Sequence, residues 1–410
     1  MKNRIIYTLF LVFVSSLISA QERQEIISEM IEEVTYLASD KLEGRATGTV
    51  SEQLAANYIV SKFQKYSLLP KGDDGFFQYF NAKIKENPHS QKIKQEITGI
   101  NVVGYVDNNA DEAIIIGAHY DHIGYGNFGS RYDGDNEIHN GADDNASGVS
   151  IMINLAKSLS QTKDYNYLFI AFSGEEHGLF GSSYYAKNPT IDLKKVRFMI
   201  NFDMVGRLNK ERLLAINGVG TSREWIDLIN KSNKYDLKFK MTESGIGPSD
   251  HTSFYLQNIP SIHFFTGQHE DYHKPSDDVE KINFDGMYII YNYVKDIIDN
   301  SLDLKEFSFQ ETKSDTTIAP RFKVTLGVMP DYLFDGKGMR IDGVSKGKTA
   351  FTYGILKGDI VLKMGEIDVH DMMTYMHALS QFNHGDTTIV KLVLLISSIM
   401  LGSRSVLVSP

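Results

Sequence analysis

The sequence predicts an α/β chain: a three-layer sandwich on a mixed, mainly parallel sheet, followed by a small β-rich domain. Three observations carry that expectation. Four short runs, "EAIIIGAHYD" from Glu112, "YNYLFIAFSGEE" from Tyr165, "VRFMINFDMVG" from Val196 and "IPSIHFF" from Ile259, are almost continuously apolar rather than alternating. Strands of that kind are covered on both faces. Between them lie segments with helical spacing, "ASGVSIMINLAKSLS" among them, which suit crossovers between parallel strands. After Leu304 the character changes: "KEFSFQETKSDTTIAP" is polar and without a sustained period, and the remainder, from about Arg321, is too short for another α/β layer.

Taken in order, the chain opens with Lys2 and Arg4, an apolar run from Ile5 and small residues ending at Ala20. That is the layout of a secretory signal with cleavage after Ala20, and the run is short for a membrane-spanning helix of ~20 residues. Two amphipathic helices are expected between Glu25 and Leu69, separated by a turn containing Gly44. The expected organisation is a signal peptide over 1–20, a large domain over 21–303, a linker over 304–320 and the small domain over 321–410.

Composition narrows the chemistry. A net charge of -10 with no cluster of Lys and Arg argues against nucleic acid as a partner. The chain has no cysteine, so an exported form has no disulfide scaffold, and any metal must be held by His, Asp and Glu.

Ligands of open α/β sheets bind beyond the carboxyl ends of the strands, and each predicted strand here is followed by a metal-binding type of side chain. The first is followed by His119 and Asp121 in "GAHYDH", the second by Glu175 and Glu176 in "FSGEEHG", the third by Asp203 in "NFDMVG". A later loop carries His273 in "DYHKPSDD", and "GADDNASGVS" carries Asp143 and Asp144 at the mouth of a predicted helix. Five such loops exceed the needs of one catalytic zinc, which takes three protein ligands, whereas two metals sharing one carboxylate would use them all. Of Glu175 and Glu176, one can ligate while the other serves as general base. Asp121, two residues beyond His119, is placed to accept the imidazole's second N–H. His122, His177 and His251 are expected at the rim or in support. The Gly-, Asp- and Asn-rich insert from Gly124 to His139 is expected to form a rim loop, with a calcium-loop reading of "DGDNE" as the lesser alternative.

In their order, "HYD", "DDNASG", "GEEHG", "FDMVG" and "YHKPSDD" resemble the M28 zinc aminopeptidases, and the resemblance runs from about Ile27 to Asn300, with "KLEGRATG" near its start. It implies two zinc ions bridged by Asp144, one also held by His119 and Asp203, the other by Glu176 and His273. It implies Glu175 as general base, Asp121 as the group orienting His119, Tyr272 as a group steadying the oxyanion, and a cis bond before Asn145. The substrates implied are peptides with a free N-terminus.

From Arg321, "RFKVTLGVMPDY", "GILKGDIVLKMGEIDV" and the helix near Asp371 to Gln381 resemble a PDZ domain of the bacterial protease type, which implies a peptide ligand beside that helix. From about residue 392, "LVLLISSIMLGSRSVLVSP" departs from the pattern, where a charged hairpin and a closing strand are expected, and fits a change of reading frame near the end of the gene. The sequence reading is therefore an exported dinuclear zinc aminopeptidase with a PDZ-like domain and no stable membrane span after signal cleavage. Its rivals are a glutaminyl cyclase of the same fold, and a non-catalytic peptide-binding ectodomain.

Overall fold

The structure is a computed structural model that describes residues 2–85, 93–312, 324–330, 334, 336–344, 347–396 and 399–408. Helix α1 (Lys2–Leu37) runs unbroken through the expected cleavage position, and α2 (Val50–Lys65) starts at Thr49, whose hydroxyl accepts from Glu52 N. Between them Glu43, Gly44 and Arg45 all take positive φ, and the chain turns sharply. Among the described residues no helix is long and apolar enough to cross a membrane.

The large domain is a mixed sheet sandwiched by helices. Its strands are β1 (Leu69–Pro70), β2 (Phe77–Lys85), β3 (Ile93–Val106), β4 (Ala113–His119), β5 (Asn166–Phe172), β6 (Val196–Phe202), β7 (Leu213–Asn217), β8 (Lys238–Thr242) and β9 (Ser261–Phe265). They lie in the order β1-β3-β5-β4-β6-β9-β7-β8, with β2 paired to β3. The centre, β5-β4-β6-β9, is parallel, and β3 and β7 join it antiparallel. The four continuously apolar runs are this centre. β2, β3, β7 and β8 flank it, and half-exposed strands such as β8 (Lys238 and Thr242 outward) lack that continuous signature.

Successive side chains point to opposite faces of a strand, and β4 shows the result. Ile114, Ile116 and Ala118 enter one core with α1, α2, α3 (Gly148–Leu159) and α7 (Phe284–Ser301). Ile115 enters the other, with Leu168, Ile170, Tyr185 of α4 (Phe180–Lys187) and Phe254 of α6 (His251–Tyr255). The remaining helix, α5 (Glu224–Ser232), buries Trp225 in the first core. The chain passes from β4 to its neighbour β5 and then back across β4 to β6, so the crevice at their carboxyl ends lies at a topological switch point.

A carboxyl group lies inside the first core. Glu33 of α1 is fully buried; its Oε2 accepts from Ser150 Oγ and Asn154 Nδ2 of α3, both at 2.8 Å, and its Oε1 is 3.5 Å from Lys62 Nζ. Burial pushes its carboxyl up to about 8 against the pull of Lys62. The folded form therefore holds this proton across a range where the unfolded chain, near 4.3, has released it. Stability from Glu33 is present at low pH and is lost as pH rises toward about 8. Denaturant unfolding at fixed zinc is expected to show stability falling from pH 5 to 8 by up to ~1.4 kcal/mol per pH unit, and Glu33→Gln is expected to flatten that slope. Parallel pH profiles for the two proteins would exclude this role.

The stretch expected as a linker begins in contact with the large domain: Phe307 packs on Trp225 and Phe198, and Thr312 N donates to Tyr255 Oη. Residues 313–320 lie outside the described residues. The small domain is an antiparallel sheet of β10 (Val328–Pro330), β11 (Met339–Val344), β12 (Asp359–Met364), β13 (Ile367–Asp368), β14 (Thr388–Ile396) and β15 (Ile399–Val408). Helix α9 (Met372–Ser380) closes its core through Tyr375, Ala378 and Leu379, and the short α8 (Thr349–Thr352) adds Ala350. The apolar end of the chain forms β14 and β15, paired in antiparallel register from Thr388↔Val408 to Ile396↔Ile399.

Candidate metal centre

The loops after β4, β5, β6 and β9 converge with the segment that enters α3. Asp144 lies at their centre and is 3% exposed. Its Oδ1 is 3.3 Å from His119 Nε2 and its Oδ2 is 3.2 Å from His273 Nε2. His119 Nε2 is also 3.4 Å from Asp203 Oδ1, and His273 Nε2 is 3.0 Å from Glu176 Oε2. One carboxylate thus faces an imidazole–carboxylate pair on each side.

Local structure fixes this posture. Gly141 takes φ 58, and a Cβ there would meet the Asp144 carbonyl oxygen at 2.1 Å, so only glycine fits. The Asp144–Asn145 peptide is cis. Asn145 ties the turn to β6, donating to Phe202 O and accepting from Met204 N and Gly148 N. The neighbouring Asp143 faces away from the centre: its Oδ1 accepts from Gly206 N and Ser147 Oγ, and its Oδ2 lies 3.1 Å from His269 Nε2. Two adjacent aspartates therefore have separate tasks, one pinning the turn and one facing the centre.

Two supporting groups emerge only from the structure, and it fixes the place of a third, His122. Arg45 is fully buried and donates to the backbone carbonyls of Leu37, Tyr120, Asn140, Gly141 and Asp144. Asp277 Oδ2 accepts from Asp143 N and Asp144 N, and its Oδ1 pairs with Arg207 at 3.1 Å. His122, expected at the rim or in support, is buried with Nδ1 2.7 Å from Glu176 Oε1. A lone Arg or His in a polar turn gives no local signal of such placement.

Asp121 also differs in detail from the expectation. His119 Nδ1 is nearer to its backbone oxygen, at 3.2 Å, than to its carboxylate, at 3.7 Å. The carboxylate instead accepts from Glu175 N and Thr47 Oγ1. Tyr272 lines the cavity with its ring stacked on His273, centroids 3.9 Å apart. The insert is a loop that grips the late ligand: Gly129 O accepts from His273 Nδ1 at 2.8 Å, and Arg131 N donates to His273 O. His273 itself takes φ 56, a region that non-glycine residues rarely adopt. His177 packs at a tilt against Phe128 in that loop, while His251 is buried against His263. Among the described residues the acids of "DGDNE" form no metal-binding group.

The electrostatics suit a cation. Burial would push Asp144 up, but His119 and His273 outweigh it and hold the carboxyl well below its usual range. Burial opposes charge on His273, yet Glu176 and Asp144 raise it to about 10. Glu175 goes the other way: burial, with Asp203, Asp250 and Glu176 nearby, raises it well above a normal glutamate despite His119. Oppositely shifted neighbouring carboxyls are the pattern of a ligand beside an acid–base group.

The donor set fits divalent metal. His119, Asp144 and Asp203 form one group whose ligand atoms lie within 4.8 Å of one another, and His122, Asp144 and Glu176 form a second. His273 Nε2 has two carboxylate oxygens within 3.2 Å and still no well-directed hydrogen bond. Ligand atoms aimed at a common point, rather than at each other, produce that geometry. The same nitrogens and oxygens would bind a metal once their protons leave.

Fold and site together define an α/β domain with a His- and carboxylate-lined metal centre at the carboxyl ends of its strands. Residues 101–298 match the model of Peptidase family M28. It is 29% identical over 225 residues to aminopeptidase YwaD of Bacillus subtilis, covering 52% of this chain and 46% of that protein. The chain spans about half the length of the curated relatives it matches. Among solved structures, the fold is shared with an aminopeptidase from Aneurinibacillus (TM-score 0.52, 18% identity, 70% of this chain and 95% of that one). It is shared equally with a Porphyromonas gingivalis glutaminyl cyclase (TM-score 0.55, 17% identity, 67% and 98%).

Proposed function

We propose that the chain is an exported aminopeptidase with two zinc ions, releasing N-terminal residues from peptides. The observation that carries this reading is the Asp144 carboxylate, with one oxygen toward His119 and Asp203 and the other toward His273 and Glu176. Zinc held by these side chains would polarise the scissile carbonyl and lower the pKa of a bound water. Glu175 lines the same cavity, where it would take a proton from the attacking water and return it to the leaving amine. Asp121 holds the backbone of Glu175 and steadies His119. Tyr272, against His273, steadies the oxyanion of the tetrahedral species. Export is supported by Lys2, Arg4 and the apolar run ending at Ala20. In the small domain, α9 against the antiparallel sheet supports a PDZ-like module that takes an extended peptide.

The test is a panel of aminoacyl chromogenic substrates beside their N-acetylated forms. Cleavage of the free amines alone is expected, with about two zinc ions per chain, activity lost on chelation and restored by zinc. Cyclisation of N-terminal glutamine without peptide cleavage would establish the cyclase instead. Neither reaction from the zinc-loaded chain would favour the non-catalytic ectodomain.

A further inference from the structure

The cavity has a half that the metal-type ligands do not form, walled by Met204, Asn217, His263, Phe265, Gln268 and Tyr272. The whole cavity is about 80 Å³, small beside the ~300–1,000 Å³ of sites that take drug-sized ligands. A long side chain has no room in it. Its apolar walls are Met204, Phe265 and the Tyr272 ring, but its polar groups are unusual. His263 is 2% exposed, and its ring lies between His251 (centroids 5.0 Å) and Phe265 (5.9 Å). Asn217 Nδ2 donates to its Nδ1 at 3.2 Å, which places the ring proton on Nε2, and that nitrogen is buried without a partner. Gln268 Oε1 is likewise buried and unpartnered. One open donor and one open acceptor thus belong to a recess beside Asp203 and Glu175.

We infer that this recess receives the first side chain of the substrate and selects a short, uncharged, hydrogen-bonding one: threonine, serine or asparagine. The inference rests on the aminopeptidase reading and adds the substrate class to it. A buried donor and acceptor left facing a methyl group lose their water without replacement, so a site built around them rejects the apolar isostere.

The experiment uses isosteric pairs on the zinc-loaded full chain: threonyl against valyl p-nitroanilide, and asparaginyl against leucyl. A preference of about 10- to 100-fold in kcat/KM for threonine and asparagine is expected. His263→Phe and, separately, Gln268→Met should bring the ratios toward one, with zinc content unchanged. Free threonine and valine supply a readout without turnover, threonine raising Tm more than valine at equal concentration. Turnover with valine and leucine equal or preferred would overturn the assignment of the recess and leave the aminopeptidase reading intact. No turnover, with threonine still the better ligand, would overturn the aminopeptidase reading and leave the recess chemistry standing.

Discussion

Replacing Glu175 by Gln is expected to lower kcat by about 10²- to 10⁴-fold, the usual contribution of a positioned general base, while zinc content stays at the wild-type value. The substitution keeps the volume of a side chain that lines the cavity and is held through its backbone N by Asp121. What it removes is the capacity to take up and return a proton. Wild-type activity should fall on the acid side, because burial and the neighbouring carboxylates raise the Glu175 carboxyl and protonate it sooner than a solvent-exposed glutamate. Stopped-flow or chromogenic assays beside metal analysis decide the matter. A variant that loses zinc along with activity would make Glu175 a ligand, and one that keeps near wild-type turnover would remove it from the chemistry.

The second large effect is expected at Arg45, which touches none of the metal-type side chains with its own. Its guanidinium donates to five backbone carbonyls, among them those on either side of the turn at Asp144 and the one following His119. Burial lowers its pKa to about 10 against the pull of Asp144, Asp121, Asp277 and Glu176, so it remains charged at neutral pH. It supplies fixed positive charge beneath a cluster of carboxylates and also sets the height of two loops. Arg45→Met takes the guanidinium donors from those carbonyls in a dry interior, and a loss of about 3–5 kcal/mol of stability is expected. Zinc affinity should fall by about 10- to 100-fold, as when groups supporting metal ligands are removed. Arg45→Lys separates the two contributions, since lysine keeps the charge but lacks the planar fork of donors. Denaturant unfolding and zinc competition read both quantities. Unchanged zinc affinity in the Met variant would confine Arg45 to the fold.

The central strands are legible in the sequence because burial on both faces demands uninterrupted apolar runs, and β4, β5 and β6 have them. The cluster of His119, Asp144, Glu176, Asp203 and His273 is legible for a topological reason. Parallel strands end on one side, so residues that follow them arrive together, here with ligand atoms 3.0 to 3.4 Å apart. The long β2–β3 hairpin is less legible because its strands mix polar and apolar residues along an edge of the sheet. Arg45 and Asp277 are not legible as supports at all. Leu37 apart, their backbone partners lie 75 to 134 residues away, and no period or spacing records a contact of that kind. Likewise the approach of His122 to Glu176, 54 residues on, depends on how two loops close over each other.

The backbone of Asp144 is held from both directions along the chain, by Arg45, 99 residues earlier, and by Asp277, 133 residues later. Closing segments so far apart comes late in folding, after local structure has formed. A chain halted before Asp277 therefore presents scattered acids and imidazoles with no common focus. A metal that these side chains hold would then be captured only after both ends of the domain have closed on Asp144.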